Sequence, residues 1–203
     1  FSYADVTLNC QHVHSEEDED SGALVDIFIT SPDKGEAGKI EENDLLFPHL
    51  TISSKYINPE LANVILGPSQ GIAVRMISGN QVNVRCVALE VKDPEIAEAG
   101  RLKKHFMDGS PNLSLTPFSF NKGYHRTEGT IVIANTTRKE GKVNIKVGKT
   151  DHEICVYDNQ NVPNKNCIFV ERVNLTSDCS IKVNCSDNIT VAYIGKVYTA
   201  SKD

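Results

Sequence analysis

Apolar and polar residues alternate along most of this chain, the period-two pattern of strands with one face buried and the other in water. Ala4, Val6, Leu8 and Cys10 fall on one face of the first such segment, with Asp5, Thr7 and Asn9 on the other. Val82, Val84 and Cys86 repeat the arrangement. Val25-Asp26-Ile27-Phe28-Ile29, Ile72-Ala73-Val74-Arg75-Met76, Ile131-Val132-Ile133 and Val143-Asn144-Ile145-Lys146-Val147 also read as half-buried strands. Ser78-Gly79-Asn80-Gln81 has the residues of a tight hairpin turn, and the Asn- and Asp-rich stretch from Asp158 to Asn166 those of a longer one. Phe169 to Val183 reads as a further hairpin, turning at 174–178. Turn signals about every eight to twelve residues predict an all-β fold, an antiparallel β-sandwich of jelly-roll or immunoglobulin-like type.

One segment breaks the pattern and predicts a helix around 94–107. Asp93 is a capping residue, Pro94 suits a first helical turn, acids precede bases, and Gly109 closes the end. Ile96, Ala99, Leu102 and Phe106 form an apolar stripe near helical spacing. A shorter helical turn is expected from Asn58-Pro59-Glu60-Leu61. The stripe needs a surface to bury against, which favours one domain over 1–203 with a crossing helix at 93–109. The alternative is two β modules, 1–92 and 111–203, joined by that helix.

Six cysteines at strand positions, with no CxxC pair, predict a disulfide framework rather than a metal site. Cys10 pairs with Cys86 in this reading. For the other four, the hairpin at 174–178 sets Cys167 opposite Cys185 and leaves Cys155 for Cys179. The competing set is Cys155 with Cys167 and Cys179 with Cys185, and spacing leaves both open.

The 203 residues carry a net charge of −6 and a pI near 5.5, which argues against a nucleic-acid ligand. No apolar run approaches the roughly 20 residues of a membrane helix. The chain opens at Phe1 rather than Met, as a mature chain does after loss of a leader. Five N-x-S/T sequons, at Asn112, Asn135, Asn174, Asn184 and Asn188, exceed the chance expectation of about two for 17 asparagines. Sequons and disulfides together predict a secreted or surface-exposed glycoprotein in an extracellular, cell-surface or virion-surface setting.

Chemical motifs are sparse. Gly67-Pro68-Ser69-Gln70-Gly71 matches the G-x-S-x-G of a hydrolase nucleophile, but the strand pattern from Ile72 to Ile77 follows where a helix is required, so a hairpin turn is expected. His12 and His14 share a strand face at a spacing that allows a shared metal ion. The run Glu16-Glu17-Asp18-Glu19-Asp20 offers carboxylates for calcium or for a basic partner, although it lacks the D-x-D-x-D-G form of a calcium loop. No zincin, phosphate-loop or dinucleotide motif occurs, no cofactor is predicted, and the chain has no tryptophan for sugar stacking.

The sequence therefore predicts a non-enzymatic protein acting by binding or assembly, with 16–20 as the candidate contact for a protein partner. Two alternatives accompany it. One is a filament or coat subunit that donates its N-terminal strand, Phe1 to Asn9, to a neighbour. The other is a secreted hydrolase whose site is assembled from separated residues.

Overall fold

The computed structural model describes residues 2–12, 22–30, 40–41, 44–52, 64–79, 81–107, 112–115, 124–149, 151–176, 178–185 and 189–199. These form fourteen strands. They are β1 (Tyr3–His12), β2 (Ala23–Thr30), β3 (Leu45–Ile52), β4 (Val64–Leu66), β5 (Gly71–Ser78), β6 (Val82–Val91) and β7 (Ile96–Met107). There follow β8 (Asn112–Leu115), β9 (Tyr124–Asn135), β10 (Gly141–Lys149), β11 (His152–Val162), β12 (Asn166–Thr176), β13 (Ser180–Cys185) and β14 (Ile189–Thr199). They make four sheets, with strand orders β4-β1-β6, β3-β2-β5, β12-β9-β14-β7 and β11-β10-β13-β8. The all-β expectation holds. Among the described residues no helix is long and apolar enough to cross a membrane.

The β12-β9-β14-β7 sheet lies at the centre, because both its faces are covered. Val132, Ala192 and Ile194 point into a core shared with β1, β2, β3 and β4. Ile131, Ile133, Val191 and Tyr193 point the other way, into a core shared with β10, β11 and β13. This explains the unbroken apolar runs 131–134 and 191–194: strands buried on both faces do not alternate. Ile131-Val132-Ile133 is thus fully buried rather than half-buried.

The predicted helix is strand β7, paired with β14 from Ile96 opposite Tyr198 to Met107 opposite Ile189. Two irregularities explain the misleading spacing. Ala97 and Leu102 are extra residues in that register, and each extra residue resets the alternation. Ile96 and Ala99, three apart, therefore enter one small cluster with Tyr3. The capping signal at Asp93 is used for a turn: its side chain accepts from the Glu95 N–H at 2.9 Å and its carbonyl from the Ile96 N–H at 3.2 Å. Gly100 has φ +103°, outside the helical region, and a Cβ there would collide with Gln70 and with the backbone of Gly67.

Three expected hairpins are also replaced. β5 pairs with β2 and β6 with β1, so the turn at 78–81 passes between sheets. β11 pairs with β10 and β12 with β9, so 163–165 does the same. Cys167 on β12 lies opposite Ala134, and Cys185 on β13 opposite Val143, which removes the basis for pairing them. Cys10 lies opposite Val84, and Cys86 opposite Leu8, so the two cysteines sit on adjacent strands but are not partners. The thiols of Cys10, Cys86, Cys155 and Cys179 are free, and the expected disulfide framework is not formed. The short turn expected at 58–61 lies outside the described residues.

Candidate functional site

Two features stand out, an open sheet edge and a charged bulge beside a cleft. Each sheet has two edges, and natural proteins guard edges with short strands, bulges or proline. Among the described residues seven of the eight edges are guarded. β4 and β8 have three and four residues. β5, β7, β11 and β12 each carry an extra residue in their register. β3 carries Pro48 within a bulge.

β6 has none of these devices. Its ten residues pair with β1 without one shift in register, from Val82 opposite His12 to Val91 opposite Tyr3. Its composition is that of a strand covered on both faces, with Val82, Val84, Cys86 and Ala88 on one side and Val87, Leu89 and Val91 on the other. Yet Val84, Val87 and Leu89 are 44%, 51% and 67% exposed. Arg85 and Glu90, its charged residues, cancel.

The second feature starts at Asp26, which is buried in the middle of β2. Arg75 is its direct partner on β5, and the guanidinium donates to Oδ2 from Nη2 at 2.6 Å and from Nε at 3.2 Å. On the other side, β3 inserts an extra residue at Pro48-His49, because Leu50 lies opposite Val25 and Phe47 opposite Ile27. Proline cannot donate to the ladder, so a bulge is where an edge strand accepts it. His49 completes the bulge at φ +50°, a conformation costly for a non-glycine residue. Asp26 holds it there, accepting from the His49 backbone N–H at 2.8 Å, with the ring Nδ1 at 3.1 Å.

The other ring nitrogen meets Lys165, whose Nζ lies 2.7 Å from Nε2. An ammonium only donates, so Nε2 accepts and the ring proton sits on Nδ1, facing Asp26. Arg75, Asp26, His49 and Lys165 thus form a continuous polar chain from β5 to the turn before β12.

That chain ends beside a cleft of about 680 Å³ between β3 and β4 on one wall and β9, β12 and β14 on the other. Phe47 and Phe169 meet across it with ring centroids 5.3 Å apart. Its far end is shaped by a bulge in β12 at Glu171-Arg172, with Arg172 at φ +57°. Gly129 forms floor there; a Cβ would collide with the Ile194 carbonyl of the neighbouring strand.

The residues expected from sequence fare differently. His14 and Glu16, Glu17, Asp18, Glu19 and Asp20 lie outside the described residues, as does Asn188. His12 ends β1, and Asn112 begins β8 opposite Asn184. Asn174 and Asn184 are exposed on β12 and β13. Asn135 is fully buried, and its amide nitrogen donates to the carbonyls of Lys139 at 2.9 Å and Val162 at 3.0 Å. A glycan on that nitrogen would displace at least one of these bonds. Among the described residues no group of three His, Cys, Asp or Glu is placed to hold a metal. Ser69 lies in a turn closed by Gln70 N–H to Gly67 C=O at 3.0 Å, leading from β4 into β5 of a different sheet. Gln70 then clamps β7, accepting from the Arg101 N–H at 2.8 Å and donating to its carbonyl at 3.2 Å.

No protein-family model matches the chain. No curated protein matches it either. Among solved structures it aligns with the infectious bursal disease virus VP2 subviral particle at 11% identity and a TM-score of 0.30, over 98% of this chain and 57% of that one. The Gx strain of the same virus aligns at 7% and 0.31, over 100% and 58%. A fucolectin from striped bass (Morone saxatilis) serum aligns at 13% and 0.27, over 100% and 80%. The chain spans a little over half the length of the viral proteins it aligns with.

Proposed function

We propose that this protein is a binding and assembly module, not an enzyme, and that it works by strand addition at β6. The observation that carries this reading is the contrast among edges: β6 is long, regular and apolar on both faces, where the other described edges are short or bulged. The occupant is a second copy of the chain. Two β6 strands related by a two-fold axis run antiparallel with the same faces aligned; centred on Val87, Val87 meets its own copy on one side and Cys86 meets Ala88 on the other. The strand is neutral overall, so it meets itself without the repulsion expected of a chain with charge −6. This replaces donation of the N-terminal strand, since β1 is the middle strand of its own sheet, paired to β4 and β6.

The expected setting, a secreted or surface glycoprotein, fits sequons Asn174 and Asn184 on exposed strand positions. The acidic run 16–20 is retained as a contact for a basic protein partner. Against a hydrolase, the imidazole that is oriented by a carboxylate among the described residues, His49, has its second nitrogen occupied by Lys165 rather than by a nucleophile.

Light scattering across a range of protein concentrations tests the assembly reading. Wild type is expected to shift from monomer to dimer mass, and Val87→Lys with Leu89→Lys to remain monomeric with an unchanged thermal midpoint. Monomer mass for wild type at every concentration would refute it.

A further inference from the structure

The polar chain that ends at Lys165 joins two sheets. His49 belongs to β3 of the β3-β2-β5 sheet, and Lys165 lies in the turn before β12, an edge strand of β12-β9-β14-β7. Both residues sit in the left-handed region, at φ +50° and +49°, a conformation that is costly for a residue with a Cβ. The Lys165 backbone is fixed separately, its N–H donating to the Thr137 carbonyl at 3.1 Å. Its side chain then crosses to His49, with Nζ 2.7 Å from Nε2.

This bond exists in one protonation state only. An ammonium has three donors and no acceptor, so Nε2 must present a lone pair. A proton on Nε2 turns the acceptor into a donor and sets two like charges where the bond was. Imidazole is the side chain whose ordinary charge change falls between about pH 5 and 8. The groups facing the ring decide what survives that change. Asp26, from β2, lies 3.1 Å from Nδ1 and accepts from the His49 backbone N–H at 2.8 Å, so it keeps an imidazolium in place. Arg75, from β5, is bound to the other carboxylate oxygen of Asp26. Lys165, from the turn, is the group that is repelled.

A second polar link between the same sheets does not respond to pH in this range. Arg101 of β7 donates to Asp44 Oδ1 at 2.8 Å and to the Ile29 carbonyl of β2, and its guanidinium stays charged. β7 and β12 are opposite edges of their sheet. We propose that His49 and Lys165 form a pH-sensitive latch, closed while the imidazole is neutral and released when it is protonated. Release frees the turn at 163–165 from β3, while Arg101 keeps the sheets joined at the β7 edge.

Thermal midpoints of wild type and Lys165→Met at about pH 8 and about pH 5 test it. Lys165→Met should lower the midpoint at the higher pH, where it removes the bond, and raise it at the lower, where it removes the repulsion. In a His49→Gln background the effect of Lys165→Met should be the same at both. Nuclear magnetic resonance should show the amides of Asn164, Lys165 and Asn166 shifting with the His49 ring as pH falls, and no such coupling in Lys165→Met. An effect of Lys165→Met that is equal at the two pH values in the wild-type background would overturn the proposal. So would amides at 164–166 that stay in place while the ring titrates, or a ring still neutral at about pH 5 in folded protein.

Discussion

Leu8 and Cys86 are direct partners across β1 and β6, yet Leu8 is sealed at 2% exposure while Cys86 lies in solvent. Paired residues share a face of the sheet, so the layer that covers β1 stops before it reaches β6. An inward-facing row of Val84, Cys86 and Ala88 is left open on the molecule's edge. That row, with Val87 and Leu89 behind it, is the basis for assembly through β6.

The buried ion pair of Arg101 and Asp44 joins β7 to the start of β3. The guanidinium Nη2 lies 2.8 Å from Asp44 Oδ1, and Nη1 donates to the Ile29 carbonyl. Burial pulls the Arg101 pKa down, while Asp44 opposes that change. Removing one partner of such a pair leaves a buried charge uncompensated. Arg101→Met should cost about 3–5 kcal/mol in urea unfolding, and adding Asp44→Asn should recover part of it. A double variant that costs the sum of the two single variants would show the two are uncoupled.

Tyr193 is one of two phenols, with Tyr198, whose pKa is pushed up to about 12, and so contributes to the alkaline limit of the fold. Its hydroxyl donates to the Val173 carbonyl at 2.8 Å and lies 2.9 Å from Thr127 Oγ1, and burial pushes its pKa up to about 12. A phenol that ionises near pH 10 when unfolded and near 12 when folded stabilises fully below 10. That contribution is lost as pH rises through about 12. Tyr193→Phe should therefore cost about 1–3 kcal/mol at neutral pH and flatten the decline between pH 10 and 12. A variant with the wild-type alkaline slope would assign that limit to another group.

Glycosylation offers a site-by-site comparison. When the chain is expressed through a secretory pathway, peptide mass spectrometry should find glycan on exposed Asn174 and none on Asn135, whose amide is committed inside. A fully occupied Asn135 in folded protein would contradict its buried placement.

Much of the fold was legible in the sequence, and the departures share one cause. Strand character was readable from Ala4 to Cys10, Val143 to Val147 and Val82 to Cys86 because alternation is a local property. Partners were not, since β5 and β6 are adjacent in sequence but belong to different sheets. The helix reading at 94–107 failed because bulges at Ala97 and Leu102 gave a strand the spacing of a helix, and because pairing with β14 outweighs local propensity. Asp26 carried a readable signal, a carboxylate inside the apolar run Val25 to Ile29, but its partners His49 and Arg75 are 23 and 49 residues away. Pro48 within an apolar run marked a bulge in the sequence without showing what the bulge would face.

Amide hydrogen exchange of β6, measured from low to high protein concentration, tests the assembly account most directly. Strand addition at this edge should slow exchange within Val82–Val91 as concentration rises, and leave the guarded edge β11 (His152–Val162) unchanged. Exchange in β6 that is fast and independent of concentration, or slowed equally in β11, would contradict it.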